Sequence, residues 1–409
     1  MNMPGMTSGL TQAFELKASL PVRFALIAIL SMTGWGCSSD SKTAAVPSHE
    51  HSAHDPHADM DHGESDEDHE EHEDHDGDGA GSHGSEHTDT GSDHGPMEMG
   101  GDPPPPNEDA LPDTLSETGL YSDIASKTIA SEMLHYVPQF QLWSDGADKA
   151  RWAYIPDTKQ VDTDNMNDWS VPVGSRFFKE FSLDGRRIET RLIERVGEGP
   201  RDFAFVSYLW NDEETEATKV GPQGLVMALG TNHDVPSKLQ CLRCHGTHPL
   251  GGGRPSRMLG FSAIQLSHDD AGLALSDLAR RMTTPLETPY TVPGDPKTQA
   301  ALGYLHANCG NCHNGERDRI PQVDLSFWLN VEHTTVEETD AWNTAVSQAN
   351  TIFNDQHVIG RIVPGNPEES AVIYRMSQRN NTAQMPPLAT KMADETGIDA
   401  VTEWIRSLP

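Results

Sequence analysis

The chain has 409 residues, with 63 Asp and Glu against 29 Lys and Arg and a net charge of -34. That length accommodates more than one domain, and that charge lacks the basic face a nucleic-acid binder needs. Five cysteines, Cys37, Cys241, Cys244, Cys309 and Cys312, are too few and too unevenly placed for a disulfide scaffold.

Residues 1–37 read as an export signal. Lys17 and Arg23 precede a short apolar run from Phe24 to Met32, and small residues follow, ending at Gly36-Cys37. The run is too short to span a bilayer. The lone cysteine at its end resembles the bacterial lipoprotein signal, although Gly34 and Trp35 depart from that pattern. The resemblance implies Cys37 as the lipid anchor of a membrane-tethered protein in the periplasm or cell envelope, on the outer membrane.

Residues 38–106 hold 11 of the 20 histidines, carry a net charge of -19, and finish in Pro103 to Pro106. Their apolar residues are too sparse to offset chain ordering, so the segment is expected to be a disordered tether. Two roles suit it: an anionic spacer, or a multi-site binder of zinc, copper or nickel through repeats such as "HEHSAH".

Residues 107–284 are expected to be a β-rich module. "SVPVGSRFFKEFSLDGRRIETRLIERV" alternates apolar and polar residues around Asp184-Gly185, a hairpin signal. "DFAFVSYLW" (202–210) predicts a further strand. A short helix is predicted from Ile124 to Leu134, and another over 262–284. Trp143, Trp152, Trp169, Phe177, Phe178, Tyr208 and Trp210 are expected in the core. Residues 285–296 read as a Pro-rich linker. Residues 297–409 open with a helix running into Cys309 and close with a helix from Thr396 to Leu408, capped by Asp394 or Thr396. Trp404 and Ile405 are expected to pack near Leu302 and Leu305.

The chemistry concentrates in two motifs, Cys241-Leu-Arg-Cys244-His245 and Cys309-Gly-Asn-Cys312-His313. Both match Cys-x-x-Cys-His, the attachment motif of c-type haem. Two thiols at that spacing reach neighbouring vinyl groups of the porphyrin, and the next His coordinates iron. A four-thiolate zinc site would bring the pairs together, yet Cys309 lies 68 residues beyond Cys241 and each pair has its own His. A redox disulfide belongs with a βαβ pattern that is absent here. Two covalently attached haem c groups are therefore expected, with His245 and His313 as proximal ligands. For the second iron, Met385 in "AQMPPLAT" is the leading sixth ligand, since Pro386-Pro387 stiffen its loop. Met376 and Met392 are rivals. For the first, Met258 leads, with His233 and His268 as options, and His248 too near along the chain. Arg243, Arg254 and Arg257 are candidate propionate partners at the first haem, and Arg361 and Arg375 at the second.

Residues 297–409 resemble a class I cytochrome c domain through "NCGNCH", "VPGNPEESAVIYRM", "QMPPL" and "VTEWI". Residues 138–409 resemble a family of exported bacterial di-haem cytochromes through "FQLWSDGADKARW", "VPVGSRFFKEF", "YLWNDEETEA", "CLRCHG" and "LGFSAIQLS". These resemblances imply an α+β chain: a β-rich module with one haem motif, then an all-α cytochrome c domain with His/Met-ligated iron. They imply electron transfer to redox partner proteins of the cell envelope. The rival functions are a peroxidase-like enzyme with an open first haem and a metal-capturing lipoprotein. No Ser/His/Asp set, paired carboxylates or phosphate loop is present, so an electron carrier is favoured over a catalyst.

Overall fold

The computed structural model describes residues 110–245, 258–270, 272–273, 278–286, 288–315, 323–351 and 356–409. Cys37, the acidic tail, His248, Arg254 and Arg257 lie outside them. The chain mixes strands and helices. A two-stranded ribbon, β1 (Tyr121–Asp123) and β2 (Thr128–Ile129), precedes a six-stranded antiparallel sheet. The sheet runs as β3 (Leu134–His135), β4 (Asp148–Tyr154), β5 (Arg176–Leu183), β6 (Arg186–Arg195), β7 (Phe203–Trp210) and β8 (Ala217–Lys219), each paired with the next. The predicted hairpin joins β5 to β6. Asp184 and Gly185 both sit in the left-handed region, at φ 50° and 80°, as a two-residue turn matched to strand twist requires.

Both faces of the sheet are covered, which is why β7 is buried along nearly its whole length. On the outer face Trp152, Phe178, Leu192, Tyr208 and Trp210 pack beneath Leu111, Leu115, Leu120 and Tyr121 from the N-terminal segment. On the inner face Phe177 and Phe205 pack with Met258, Phe261 and Leu266. The Phe261 ring meets Tyr136, Trp169 and Phe177 edge-on at 5.3, 5.8 and 5.1 Å, the preferred aromatic geometry. Six of the seven aromatics expected in the core are buried there. Trp143 is half-exposed and donates its indole N–H to the Met392 carbonyl.

Helix α1 (Lys238–Cys244) follows the sheet and α2 (Ala263–Leu266) is a single turn. Helix α3 (Pro296–Asn308) starts with Asp295 accepting from the Thr298 N–H and Pro296 in its first turn. Helices α4 (Asp340–Ala345) and α5 (Ala371–Ser377) lead to α6 (Glu395–Ser407). Asp394 caps α6 by accepting from the Gly397 N–H at 3.1 Å. Leu302 and Leu305 of α3 share a buried cluster with Val401, Trp404 and Ile405 of α6. A Cβ on Gly397 would fall 2.1 Å from the Tyr304 ring, so the missing side chain is what lets the two helices approach.

Three expectations fail locally. Residues 124–134 form no helix: Asp123 accepts from the Ala125 and Ser126 N–H groups and sets up a turn between β1 and β2. Residues 262–284 form no single helix: among the described residues helix covers α2 and positions 278–279, and Ser267 closes α2, turning its hydroxyl onto the Ala263 carbonyl and accepting from the Tyr290 N–H. The Pro-rich stretch packs rather than hangs free: Tyr290 and Val292 are buried with α3 and α6. The described residues accordingly fall within one compact unit. Across it, the Asn308 side chain accepts from the Trp143 N–H at 2.8 Å, Asp145 accepts from the Lys391 and Met392 N–H groups, and Phe140 covers Gly303.

Candidate functional site

The inner face of the sheet is organised in rows across the strands. Ala153, Phe177, Ile193 and Phe205 stand opposite one another in the ladder and form an apolar row. Two residues along, Arg151, Lys179, Arg191 and Ser207 form a second row. Beyond it Phe181 faces Glu189. Glu189 is fully buried; it accepts from Arg191 Nε and Nη2 at 2.7 and 2.8 Å and is bonded to His233 Nε2 at 2.7 Å. Burial alone would raise this carboxyl, but Arg191 and His233 outweigh burial and hold it down at about 2.

Helix α1 lies over this face with a capping box, Ser237 accepting from the Gln240 N–H and Gln240 reaching back to the Ser237 N–H. Cys241 and Cys244 are three residues apart, so they share one side of the helix. Both line a cavity of about 910 Å³, together with His245, Met258 and the two rows just described. The His245 ring sits 5.2 Å from the Phe205 ring. Burial, and then Lys179 and Arg191, hold its imidazole down at about 3. The neutral ring is the form that coordinates a metal.

The second motif follows α3 directly. Cys309 is the C-cap, and the chain continues in tight turns, with the Cys312 and His313 N–H groups both donating to the Cys309 carbonyl. The thiols therefore sit at the end of the helix predicted to carry them and in the turn that follows. Cys312 lines the same cavity as Cys241 and Cys244. Burial, and then the Cys312 thiol, push Cys244 up to about 11. Cys309 instead packs against the α3–α6 core, where burial and Cys312 push it up to about 12. His313 lies beside Phe327 at 6.2 Å, and its buried Nδ1 has no hydrogen-bond partner. Burial, then Arg375 and Arg361, hold its imidazole down at about 4.

The candidate sixth ligands separate clearly. Met258 is 5 % exposed and on the cavity wall. His233 is engaged by Glu189, and His268 Nε2 is bonded to the Val137 carbonyl at 2.8 Å. Met385 is half-buried, its N–H donating to the Arg375 carbonyl at 3.0 Å, and it does not line the cavity, although Pro386 to Thr390 do. Of its rivals, Met376 is core and Met392 is exposed. Cys241, Cys244, His245, Cys312 and Met258 are thus brought together; Cys309, His313 and Met385 flank them. Among the described residues no three His, Cys, Asp or Glu side chains converge as a bare-ion site would require.

Arg361 donates to the Thr344 carbonyl at 2.6 Å and Arg375 Nε to the Ala383 carbonyl at 3.0 Å. Arg243 is exposed and does not line the cavity. Among the described residues, Arg151, Lys179 and Arg191 form the charged row on the cavity wall, with Asp113, Lys219 and Lys238 also on its lining; no motif marks the row, and its sequence signal is the charged positions inside the alternating strand pattern. His306 was also missed. It lines the cavity, 2 % exposed, its Nδ1 accepting from the Leu329 N–H at 3.1 Å and its ring 4.4 Å from Trp328. Among the described residues no helix is long and apolar enough to cross a membrane. No family model, no curated protein and no solved structure matches the chain.

Proposed function

We propose that the chain is an exported, lipid-tethered c-type cytochrome that carries two covalent haems and relays electrons between redox proteins of the bacterial cell envelope. One observation carries the reading: thiols from both Cys-x-x-Cys-His motifs open into one cavity whose wall combines an apolar row with a cationic one. The wall suits an amphiphilic macrocycle. Cys241 and Cys244 would attach the first haem and His245 would hold its iron; Cys309, Cys312 and His313 would do so for the second. Bound haem supplies one-electron chemistry whose potential depends on axial ligand, burial and nearby charge.

The protein's own residues do the rest. Burial keeps both imidazoles neutral, and the Phe205 ring fixes the plane of His245. Met258 supplies a soft sulfur on the wall of the first site. Tyr136, Phe140 and Trp143 exclude water along one side of the cavity. Met385, on the loop that follows α5, is the sixth-ligand candidate of the second site. A filled sixth position at each iron would favour relay over peroxide or substrate chemistry.

The test is a haem count by mass on protein matured in a cytochrome-c-competent periplasm. Two haems per chain are expected, falling to one with Cys241→Ala/Cys244→Ala. A count that this double substitution leaves unchanged removes the proposal.

A further inference from the structure

The row Arg151, Lys179, Arg191 stacks three cations side by side on adjacent strands of one sheet face. Like charges directly opposite one another destabilise a sheet unless something offsets them. Arg151 is 4 % exposed and permanently charged; among the described residues no carboxylate pairs with it. Burial, and then Arg151, Arg191 and Lys149, drive the Lys179 ammonium well below the usual lysine range. Its close neighbour is the Phe181 ring, 4.8 Å from Nζ. Among the described residues Glu189 is the buried carboxylate on this face of the sheet, Glu180 lying on the other, and both its oxygens are taken by Arg191 and His233. Charges this deep need a partner, and the cavity they line is where the partner must enter.

The neighbouring apolar row fixes what kind of partner. Ala153, Phe177, Ile193 and Phe205 run parallel to the cations, roughly 7 Å away along the strands. His245 stands over Phe205 at the apolar side. A ligand on this wall must be flat and apolar on one side and carry anionic groups at one edge.

We propose that Arg151, Lys179 and Arg191 are the seat for the propionate carboxylates of the haem attached at Cys241 and Cys244, a reading that rests on the di-haem assignment above. Arg151 offers a bidentate fork. Lys179 stands between the two arginines on the middle strand and adds a third donor. Arg191, held by Glu189, fixes the third position. The seat orients the macrocycle so that its apolar edge lies on Phe177 and Phe205. It takes the role expected from sequence of Arg243, which is exposed and off the cavity wall.

The experiment uses the holoprotein with Arg151→Gln, Lys179→Met, both together, and Lys179→Arg. Lys149→Met is the control, a cation in the next row that does not line the cavity. Haem count, redox-difference infrared bands of the propionates, and the two midpoint potentials are read together. The proposal expects two haems in every variant, shifted propionate bands, and one of the two midpoints lowered by Arg151→Gln and by Lys179→Met. Lys179→Arg should restore both signals, and Lys149→Met should leave the propionate bands in place. If the double variant does not accumulate, the single variants and Lys179→Arg carry the test. Two bound haems with bands and midpoints unmoved in both single variants would overturn the seat. A Soret shift on adding inorganic phosphate, lost in the variants while the propionate bands stay fixed, would assign the row to a diffusible anion and also overturn it. A wild-type count below two would overturn the di-haem reading instead.

Discussion

Glu189 is sealed between Arg191 and His233, and its isolation from water makes it the most consequential carboxylate in the sheet. Removing one partner of a buried ion pair strands the other. Glu189→Gln is therefore expected to cost about 3–5 kcal/mol in urea denaturation; a loss within about 0.5 kcal/mol would match an ordinary surface change instead. The same carboxyl gives acid sensitivity a sign. Its folded value, about 2, lies below the ordinary 4.5, so the unfolded chain binds the proton more readily. The stabilisation is complete above pH 4.5 and is lost as pH falls toward 2. Wild-type protein should show that slope in the pH dependence of its unfolding free energy, and Glu189→Gln should flatten it. At this scale the sequence was informative where the pattern is local: each Cys-x-x-Cys-His picks out its own candidate residues. It was silent on Arg151 and Lys179, whose significance comes from standing opposite each other on separate strands.

Helix α3 carries both a structural and a functional burden, since it packs on α6 and delivers the second motif to the cavity. Gly303 is the position where the sheet-side loop presses closest: an added Cβ would lie 2.0 Å from the Phe140 ring. Gly303→Ala is expected to cost about 1–3 kcal/mol by overpacking, even though alanine is the better helix former. Phe140→Ala combined with it should recover part of that loss, which a double-mutant cycle by chemical denaturation reads directly. Additive losses would show that the two sites do not meet. Asp394→Ala, which removes the cap of α6, should cost about 1 kcal/mol, seen as a lower urea midpoint. The helix positions were legible because apolar spacing and caps are local signals. The predicted helix at 124–134 is replaced by a turn and the one at 262–284 is interrupted, because Asp123 and Ser267 spend their side chains on turns, and tertiary partners pull the flanking chain elsewhere.

Contacts join the sheet-bearing part of the described chain to its helical part. Tyr290 and Val292 are buried where a flexible connection was expected. Lys391 Nζ pairs with Asp234 at 2.5 Å, and Asn167 accepts from the Val331 N–H at 2.7 Å. Holoprotein should therefore unfold in a single cooperative urea transition, with tryptophan fluorescence and haem absorbance coincident. Two separated transitions would mean that these contacts contribute too little to couple the parts.

Composition and short-range spacing located the candidate chemistry: five cysteines, four of them in two pairs each followed directly by an imidazole, and an acidic, low-complexity N-terminal segment. They also set the hairpin at Asp184-Gly185 and the closing helix, because turn conformation and helical period are properties of neighbouring residues. Only the tertiary structure decided that motifs 68 residues apart share one cavity, that Met258 lines it while Met385 stands outside, and that three cations from three strands line one wall. Those relations join residues whose separation along the chain carries no trace of their distance in space. They are settled by strand register and by the burial of one apolar face against another.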